Sequence, residues 1–162
     1  DMLASNVDQR ILGYLGRALS LELSAVQLYS TQARLVDNWG LAEVAAKFSE
    51  EASEEMTHAE RIISRMLALG VAPNASQLRP VRLGQNLQQL LEQDYAFEKD
   101  LVGLYEDAAR QSARVGDQDS WLFFEALLAE EQHHAQSLEQ WLQQLQQAQN
   151  SVPASKVTIK GE

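Results

Sequence analysis

Two stretches of the chain, Glu55-Met56-Thr57-His58 and Glu131-Gln132-His133-His134, each carry a glutamate and a histidine three residues apart. On a helix such a pair lies on one face, one side chain above the other, so both can grip the same metal ion. A lone glutamate precedes each pair by 33 positions, Glu22 before Glu55 and Glu98 before Glu131. Adding 76 to Glu22, Tyr29, Glu55 and His58 gives Glu98, Tyr105, Glu131 and His134. The chain therefore reads as two copies of one helical hairpin, each carrying half of a dinuclear metal site. Four carboxylates offset the charge of two divalent cations, and oxygen donors with imidazole suit iron or manganese rather than a thiophilic metal. Without metal, four glutamates gathered in a low dielectric are unfavourable, which argues against a purely structural role.

A second register exists, since Glu130 and His133 also form a Glu-x-x-His pair. It breaks both the 33-residue and the 76-residue offsets, so the ligand set is read with Glu131 and His134, and His133 as a surface or outer residue. Tyr29 and Tyr105 each follow a lone glutamate by seven residues. Their hydroxyls could hydrogen-bond a ligand carboxylate or supply an electron during oxygen chemistry. The other reading, an amphipathic core tyrosine, fits Tyr105 better than Tyr29. Trp39, Trp121 and Trp141 read as packing residues.

Four long helices must position these groups. From about Val7 to Leu35 apolar residues recur at helical spacing, with Asn6 or Asp8 as the cap and turn chemistry at Asp37-Asn38-Trp39-Gly40. A second helix is predicted from about Leu41 to Leu69, with Gly70 at its C-terminal cap. Residues 71 to 84 contain Pro73, Pro80 and Gly84 and read as a connection. Fourteen residues stretch at most roughly 46–50 Å, while a 29-residue helix is about 43 Å long, so this linker can run the length of a bundle and start the third helix parallel to the second. The third helix is predicted from about Gln85 to Ser112, and the fourth from about Gln118 to Gln147 after a turn containing Gly116. The midpoints between Glu22 and Glu55 and between Glu98 and Glu131 fall at 38.5 and 114.5, inside or beside the two turns, so each hairpin sets its lone glutamate opposite its pair. The expected fold is an all-α antiparallel four-helix bundle of two hairpins with one long crossover. It occupies residues 1–148 and is followed by an extended or disordered tail at 149–162.

Composition narrows the function classes. A net charge of −10 argues against non-specific binding to nucleic acid or an anionic membrane, both of which need clustered Lys and Arg. Such a surface either attracts cations or simply solubilises the chain. The absence of cysteine excludes disulfides, thiolate zinc sites and iron–sulfur clusters. No apolar run approaches the roughly 18 residues of a membrane span, and the first residues lack a signal-peptide core, so a cytoplasmic location is expected.

Across positions 7 to 148 the chain resembles a bacterioferritin, within the ferritin-like superfamily. The resemblance is carried by Leu21-Glu22-Leu23 with Gln27 and Tyr29, by Asn38-Trp39-Gly40-Leu41, by Asp94 to Glu98, and most specifically by Glu54-Glu55-Met56-Thr57-His58-Ala59-Glu60-Arg61. It implies a ferroxidase that oxidises Fe²⁺ with dioxygen or peroxide at a centre of two iron ions and stores ferric mineral in a shell of 24 subunits built from dimers. Glu22, Glu55, His58, Glu98, Glu131 and His134 match the six ligands, with Glu55 and Glu131 as bridging carboxylates. Met56 matches the methionine that binds haem b between two subunits. It lies about 100° around the helix from Glu55 and so points away from the site; a lone interface methionine is the other reading.

Two departures stand out. The family continues into a short fifth helix, which Asn150-Ser151-Val152-Pro153 makes short or absent here and which puts homomeric assembly in question. The tail then becomes a candidate docking segment, for a second ferritin-type subunit or another partner. Glu50 stands where many relatives have histidine, and at i and i+4 Glu50 and Glu54 either hold iron on the inner surface or are solvated. Other functions compatible with the ligand set are a di-manganese or di-iron peroxide-scavenging enzyme without mineral, and a structural or haem-carrying subunit of a mixed shell. A rubrerythrin is disfavoured by the lack of cysteine, and a miniferritin by six ligands in one chain.

Overall fold

The computed structural model describes residues 6–75 and 77–151, which form four helices: α1 (Gln9–Asn38), α2 (Ala42–Ala68), α3 (Leu87–Arg114) and α4 (Gln118–Asn150). Helices of about 30 residues owe their stability to tertiary packing rather than to propensity. In α1 the buried stripe runs through Ile11, Leu15, Ala18, Glu22, Ala25, Tyr29, Ala33 and Val36, spaced by three or four, with Leu19 beside it. Equivalent stripes in the other helices include Phe48, Ala52, Glu55, Ala59 and Ile62 in α2, Leu91, Asp94, Glu98, Leu101 and Tyr105 in α3, and Phe124, Leu127, Glu131, His134 and Leu138 in α4. The polar groups thus occupy positions that the helical period assigns to the core.

Cross-helix pairs establish the topology. Tyr29 meets Phe48, and Tyr105 meets Phe124, so each hairpin is antiparallel. Gln32 meets Gln93 while Asp8 meets Gln111, which makes α1 antiparallel to α3. Phe48 meets Trp141 and Arg65 meets Ser120, which makes α2 antiparallel to α4. α2 and α3 are therefore parallel, as a crossover along the length of the bundle requires. That crossover is pinned at Arg79, whose backbone N–H donates to Ser24 Oγ at 2.9 Å, and whose guanidinium lies 4.9 Å from the Phe97 ring and 2.8 Å from Asp100.

Asp8 caps α1 by accepting from the amides of Arg10 and Ile11, Asn86 caps α3 and Asp117 caps α4. Three helices end alike. Leu41 N–H donates to Val36 O, Val71 N–H to Met66 O and Asp117 N–H to Ser112 O, each at 2.9 Å, around glycines at positive φ: Gly40 (83°), Gly70 (77°) and Gly116 (74°). This is the six-to-one closure of a glycine-terminated helix. It also explains a difference from the sequence expectation. Asp37 and Asn38 have turn chemistry yet remain helical, because the chain reverses only at Trp39–Leu41, where Gly40 supplies the left-handed backbone. The fourth helix likewise runs on to Asn150. The rest of the predicted tail, and the position of any fifth helix, fall on residues 152–162, outside the described residues.

Of the three tryptophans, Trp121 and Trp141 pack half-buried against the core. Trp39 instead sits on the first turn, 37% exposed. Among the described residues no helix is long and apolar enough to cross a membrane.

Candidate metal centre

At mid-bundle the core stripes of all four helices turn polar together. Glu22 (α1), Glu55 and His58 (α2), Glu98 (α3), and Glu131 and His134 (α4) are all buried, the four glutamates at 0% exposure. The structure brings all six predicted residues into one pocket. Nδ1 of His58 lies 3.1 Å from Glu22 Oε2, 3.2 Å from Glu55 Oε1 and 2.7 Å from Glu131 Oε1. Nδ1 of His134 lies 3.4 Å from Glu55 Oε1, 3.3 Å from Glu131 Oε2 and 4.0 Å from Glu98 Oε1. The two rings lie nearly parallel, 15° apart, with centroids separated by 5.9 Å. Two four-residue groups, each with donor atoms within 4.8 Å of one another, result: Glu22, Glu55, His58 and Glu131, and Glu55, Glu98, Glu131 and His134. They share Glu55 and Glu131.

The hydrogen-bond account of this pocket does not close. Glu22 Oε1, both oxygens of Glu55, Glu98 Oε2, Glu131 Oε2 and His134 Nδ1 are buried without a well-aligned hydrogen bond, the histidine contacts to Glu55 Oε1 and Glu131 Oε2 lying at 3.2–3.4 Å. Unpaired buried polar atoms are costly, and here they all face one small volume. Protons do part of the work that cations would do. Burial disfavours a charged ring, but the hydrogen bonds with Glu131, Glu22 and Glu55 outweigh it and push His58 up to about 12. His134 is pushed up to about 11, against its burial, by Glu131 and Glu55. Burial first, then the charge of Glu55, holds the Glu22 carboxyl well above the usual range. Glu98 is raised likewise by burial and its neighbours Glu131 and Glu55. Burial acts the same way on Glu131, but hydrogen bonds from Glu98, His134, His58 and Glu22 overcome it and keep this central carboxylate ionised. An oxygen-rich set with two imidazoles and missing positive charge fits two divalent cations.

Tyr29 reaches across to α3 and donates to Glu98 Oε1 at 2.7 Å, so its hydroxyl belongs to the site. Tyr105, equally buried, makes no hydrogen bond there.

The outer edges of the two rings face exposed glutamates. His134 Nε2 lies 2.6 Å from Glu54, and His58 Nε2 lies 3.7 Å from Glu130, which Arg61 holds at 2.6 Å. A surface cavity of about 470 Å³, lined by Glu54, Thr57, His58, Ala129, Glu130, His133 and His134, opens over them. His133 is exposed at its rim, in keeping with the outer role read for it. Glu50 and Glu54 are both exposed, which matches the solvated reading of that pair, and the residue that joins Glu54 at His134 is Glu51, at i and i+3. Glu51 escaped the sequence reading, and the fully buried Asp94 entered it only as part of the resemblance and not as a site residue, because neither takes part in the repeat. Their only signal was an acid on the core stripe. Met56 points away from the site, 40% exposed at the end of a groove between the outer faces of α1 and α2 that also includes Ser30, Arg34, Ala45 and Ser49.

The ferritin-like domain family matches residues 12–148. The chain is 42% identical to the bacterioferritin of Rhodobacter capsulatus over 132 residues, 82% of each chain, and 33% identical to bacterioferritin BfrA of Mycobacterium tuberculosis over 136 residues, 84% and 86% of the two chains. Its structure superimposes on the R. capsulatus bacterioferritin with a TM-score of 0.84 at 37% identity, covering 91% of this chain and 97% of that one. In that crystal structure the dinuclear site is metal-free and the haem iron sits in a crystallographic special position. The M. tuberculosis BfrA structure gives a TM-score of 0.83 at 32% identity, covering 87% and 89%.

Proposed function

Because the chain belongs to the bacterioferritins, iron-storage proteins of the ferritin-like family, we infer that it is a ferroxidase that oxidises Fe²⁺ at a dinuclear centre within each subunit. The observation that carries this reading is the convergence of four buried glutamates and two histidines whose unpaired atoms face one pocket. Glu22 and His58 would hold one Fe²⁺, Glu98 and His134 the other, and Glu55 and Glu131 both. Two Fe²⁺ side by side supply the two electrons that take peroxide to water, or dioxygen to peroxide. The remaining work belongs to the chain. Protons held at Nδ1 of His58 and His134 leave as cations bind, so the pocket exchanges one form of positive charge for another. Tyr29, bonded to Glu98, orients that carboxylate and stands close enough to the pocket to donate an electron. The packed rings of Phe48 and Phe124 exclude water on either side.

Aerobic addition of Fe²⁺ is expected to give a rapid rise in ferric absorbance, and Glu55→Ala is expected to abolish that phase. An unchanged rate in the variant would remove the catalytic assignment. Ferric mineral in a 24-subunit shell is part of the same reading, and particle mass with iron content on one sample tests it. A dimer-sized particle that turns over peroxide without accumulating iron would favour the peroxide-scavenging alternative. Haem b shared between two subunits through Met56 is supported by the exposed thioether at the end of its groove and by the haem iron of the R. capsulatus relative. Protein reconstituted with haem is expected to show a bis-methionine spectrum that Met56→Leu removes. No such spectrum in the unmodified chain would exclude the cofactor.

A further inference from the structure

One helical turn before Glu55 and Glu98 stand Glu51 (α2) and Asp94 (α3), and with Gln32 (α1) they put a second set of acceptors into the core. Asp94 is at 0% exposure and Gln32 at 1%. Both oxygens of Asp94, Oε1 of Gln32 and Oε2 of Glu51 are buried without an aligned hydrogen bond. The Gln32 amide eases the Asp94 charge without forming such a bond and donates instead to Gln93 Oε1 at 3.5 Å, while the Glu51 charge acts on Asp94 from across the core. No cation of the chain answers them. Glu51 pairs only with His134, at 3.6 Å, and Lys47, one turn before it, lies over the Trp141 ring instead. Packing does not call for these groups either, because the positions 76 residues away are Ala108, Leu127 and Ala18, all apolar and all at 0% exposure. The same fold fills the equivalent space with hydrocarbon, so two acids and an amide gathered here carry a desolvation cost that the scaffold does not impose.

We propose that Gln32, Glu51 and Asp94 form a third cation site, which takes one hard divalent ion behind the Glu98 half of the dinuclear pocket. Two carboxylates offset its two charges, and the Gln32 carbonyl adds a neutral donor. A single buried water donates only two protons, so it leaves two of the four acceptors and both charges unmet. The donors are all oxygen, which suits Mn²⁺, Mg²⁺, Ca²⁺ or Fe²⁺ and leaves ions that favour nitrogen to the imidazoles of the neighbouring pocket. The ion enters from a surface groove of about 340 Å³ between α2 and α4, where Glu51 stands half-exposed beside His134. None of the three residues belongs to the six of the dinuclear pocket, so the site stands or falls apart from that reading.

The test counts tightly bound Mn²⁺ by equilibrium dialysis of the metal-free full-length chain, with the visible absorption of Co²⁺ reporting the imidazole-containing pocket separately. Three Mn²⁺ per chain are expected, and two in Asp94→Asn, which keeps the shape of the side chain and removes its charge. Gln32→Leu is expected to weaken the third ion by about 10–100-fold, the scale of a lost supporting group. Both variants should still bind two Co²⁺ with an unchanged spectrum. An equal Mn²⁺ count in the unmodified chain and in Asp94→Asn overturns the proposal, since the acceptors then hold water or a proton. Loss of the third ion in Glu54→Ala but not in Asp94→Asn overturns it too, because the ion then sits at the surface group of Glu51, Glu54 and His134. A Co²⁺ spectrum that collapses in Asp94→Asn would make Asp94 a support of the dinuclear pocket and likewise overturns it. If the unmodified chain binds one Mn²⁺ that Asp94→Asn loses, and no pair, the third site stands and the dinuclear reading fails.

Discussion

The two halves of the candidate centre offer the same donor types but have different surroundings. Behind the Glu98 half lie Gln32, Glu51 and Asp94, with Asp94 fully buried and both its oxygens unpaired. The positions related to these by the repeat are Ala108, Leu127 and Ala18, all at 0% exposure and all apolar. One half therefore rests on hydrocarbon and the other on a buried polar patch that leads to Glu51, half-exposed beside His134. The contrast shows that ligand geometry and ligand environment are specified separately. A repeated helical hairpin places six groups symmetrically, and single substitutions behind them make the halves unequal. Glu51 illustrates the cost: burial, opposed by His134, raises its carboxyl to about 7.

The most severe way to break the comparison is to remove what the halves share. Glu131 belongs to both donor groups, Glu98 to one. Glu131→Ala is expected to abolish binding of both Co²⁺ ions, a loss larger than the roughly 10–100-fold that removal of an outer-shell partner costs. Glu98→Ala should reduce the stoichiometry from two to one. Two ions bound by Glu131→Ala would mean that the halves are not joined through that carboxylate.

The scaffold offers the opposite test, since there the hairpins should behave alike. Gly40 and Gly116 are themselves 76 residues apart and both close a helix at positive φ, with open space around the missing Cβ. Gly40→Ala and Gly116→Ala should each lose about 1–2 kcal/mol, the cost of a left-handed L-residue, read from denaturant midpoints of the metal-free protein. A loss at one turn only would show that the hairpins differ in scaffold as well as in environment.

A smaller change addresses the polar patch itself. Burial, eased by Gln32 and aggravated by Glu51, holds the Asp94 carboxyl well above its ordinary value of 3.8. The folded chain then binds this proton more tightly than the unfolded chain. The contribution is fully present below the unfolded pKa, and stability is lost as pH rises from there through the folded value. Asp94→Asn should remove that loss, raising stability at pH 7 with the gain vanishing once the pH falls below the unfolded value. A gain that is the same at both pH values would show that the charge is not responsible.

How much of this was legible in the sequence follows the same division. Glu22, Glu55, His58, Glu98, Glu131 and His134 could be picked out because a duplicated hairpin leaves a numerical trace, and that trace also rejected the Glu130–His133 register. Crossover length and turn chemistry gave the bundle, and the departures at Asn38 and Asn150 came from helix ends, where Gly40 decides more than the polarity of Asp37. Glu51, Asp94 and Gln32 leave no such trace, since each faces an apolar counterpart across the repeat. Whether an acid on a core stripe is buried depends on what the neighbouring helices present at that height.

The finest asymmetry lies outside the ligands. Glu54 and Glu130 are related by the repeat, and each faces the outer nitrogen of the histidine in the other hairpin, but at 2.6 Å for His134 and 3.7 Å for His58. The difference traces to Arg61, which holds Glu130 at 2.6 Å and whose own repeat position is the uncharged Ser137. In Arg61→Ala, Glu130 loses its competitor and should swing onto His58 Nε2, shortening the 3.7 Å contact to hydrogen-bond length in a crystal structure of the variant. The pair is exposed, so the loss of stability should stay within about 0–1 kcal/mol, and Fe²⁺ oxidation should change little because no donor atom of the pocket moves. If the contact stays long without Arg61, the unequal outer edges are set by the helix backbones rather than by this ion pair.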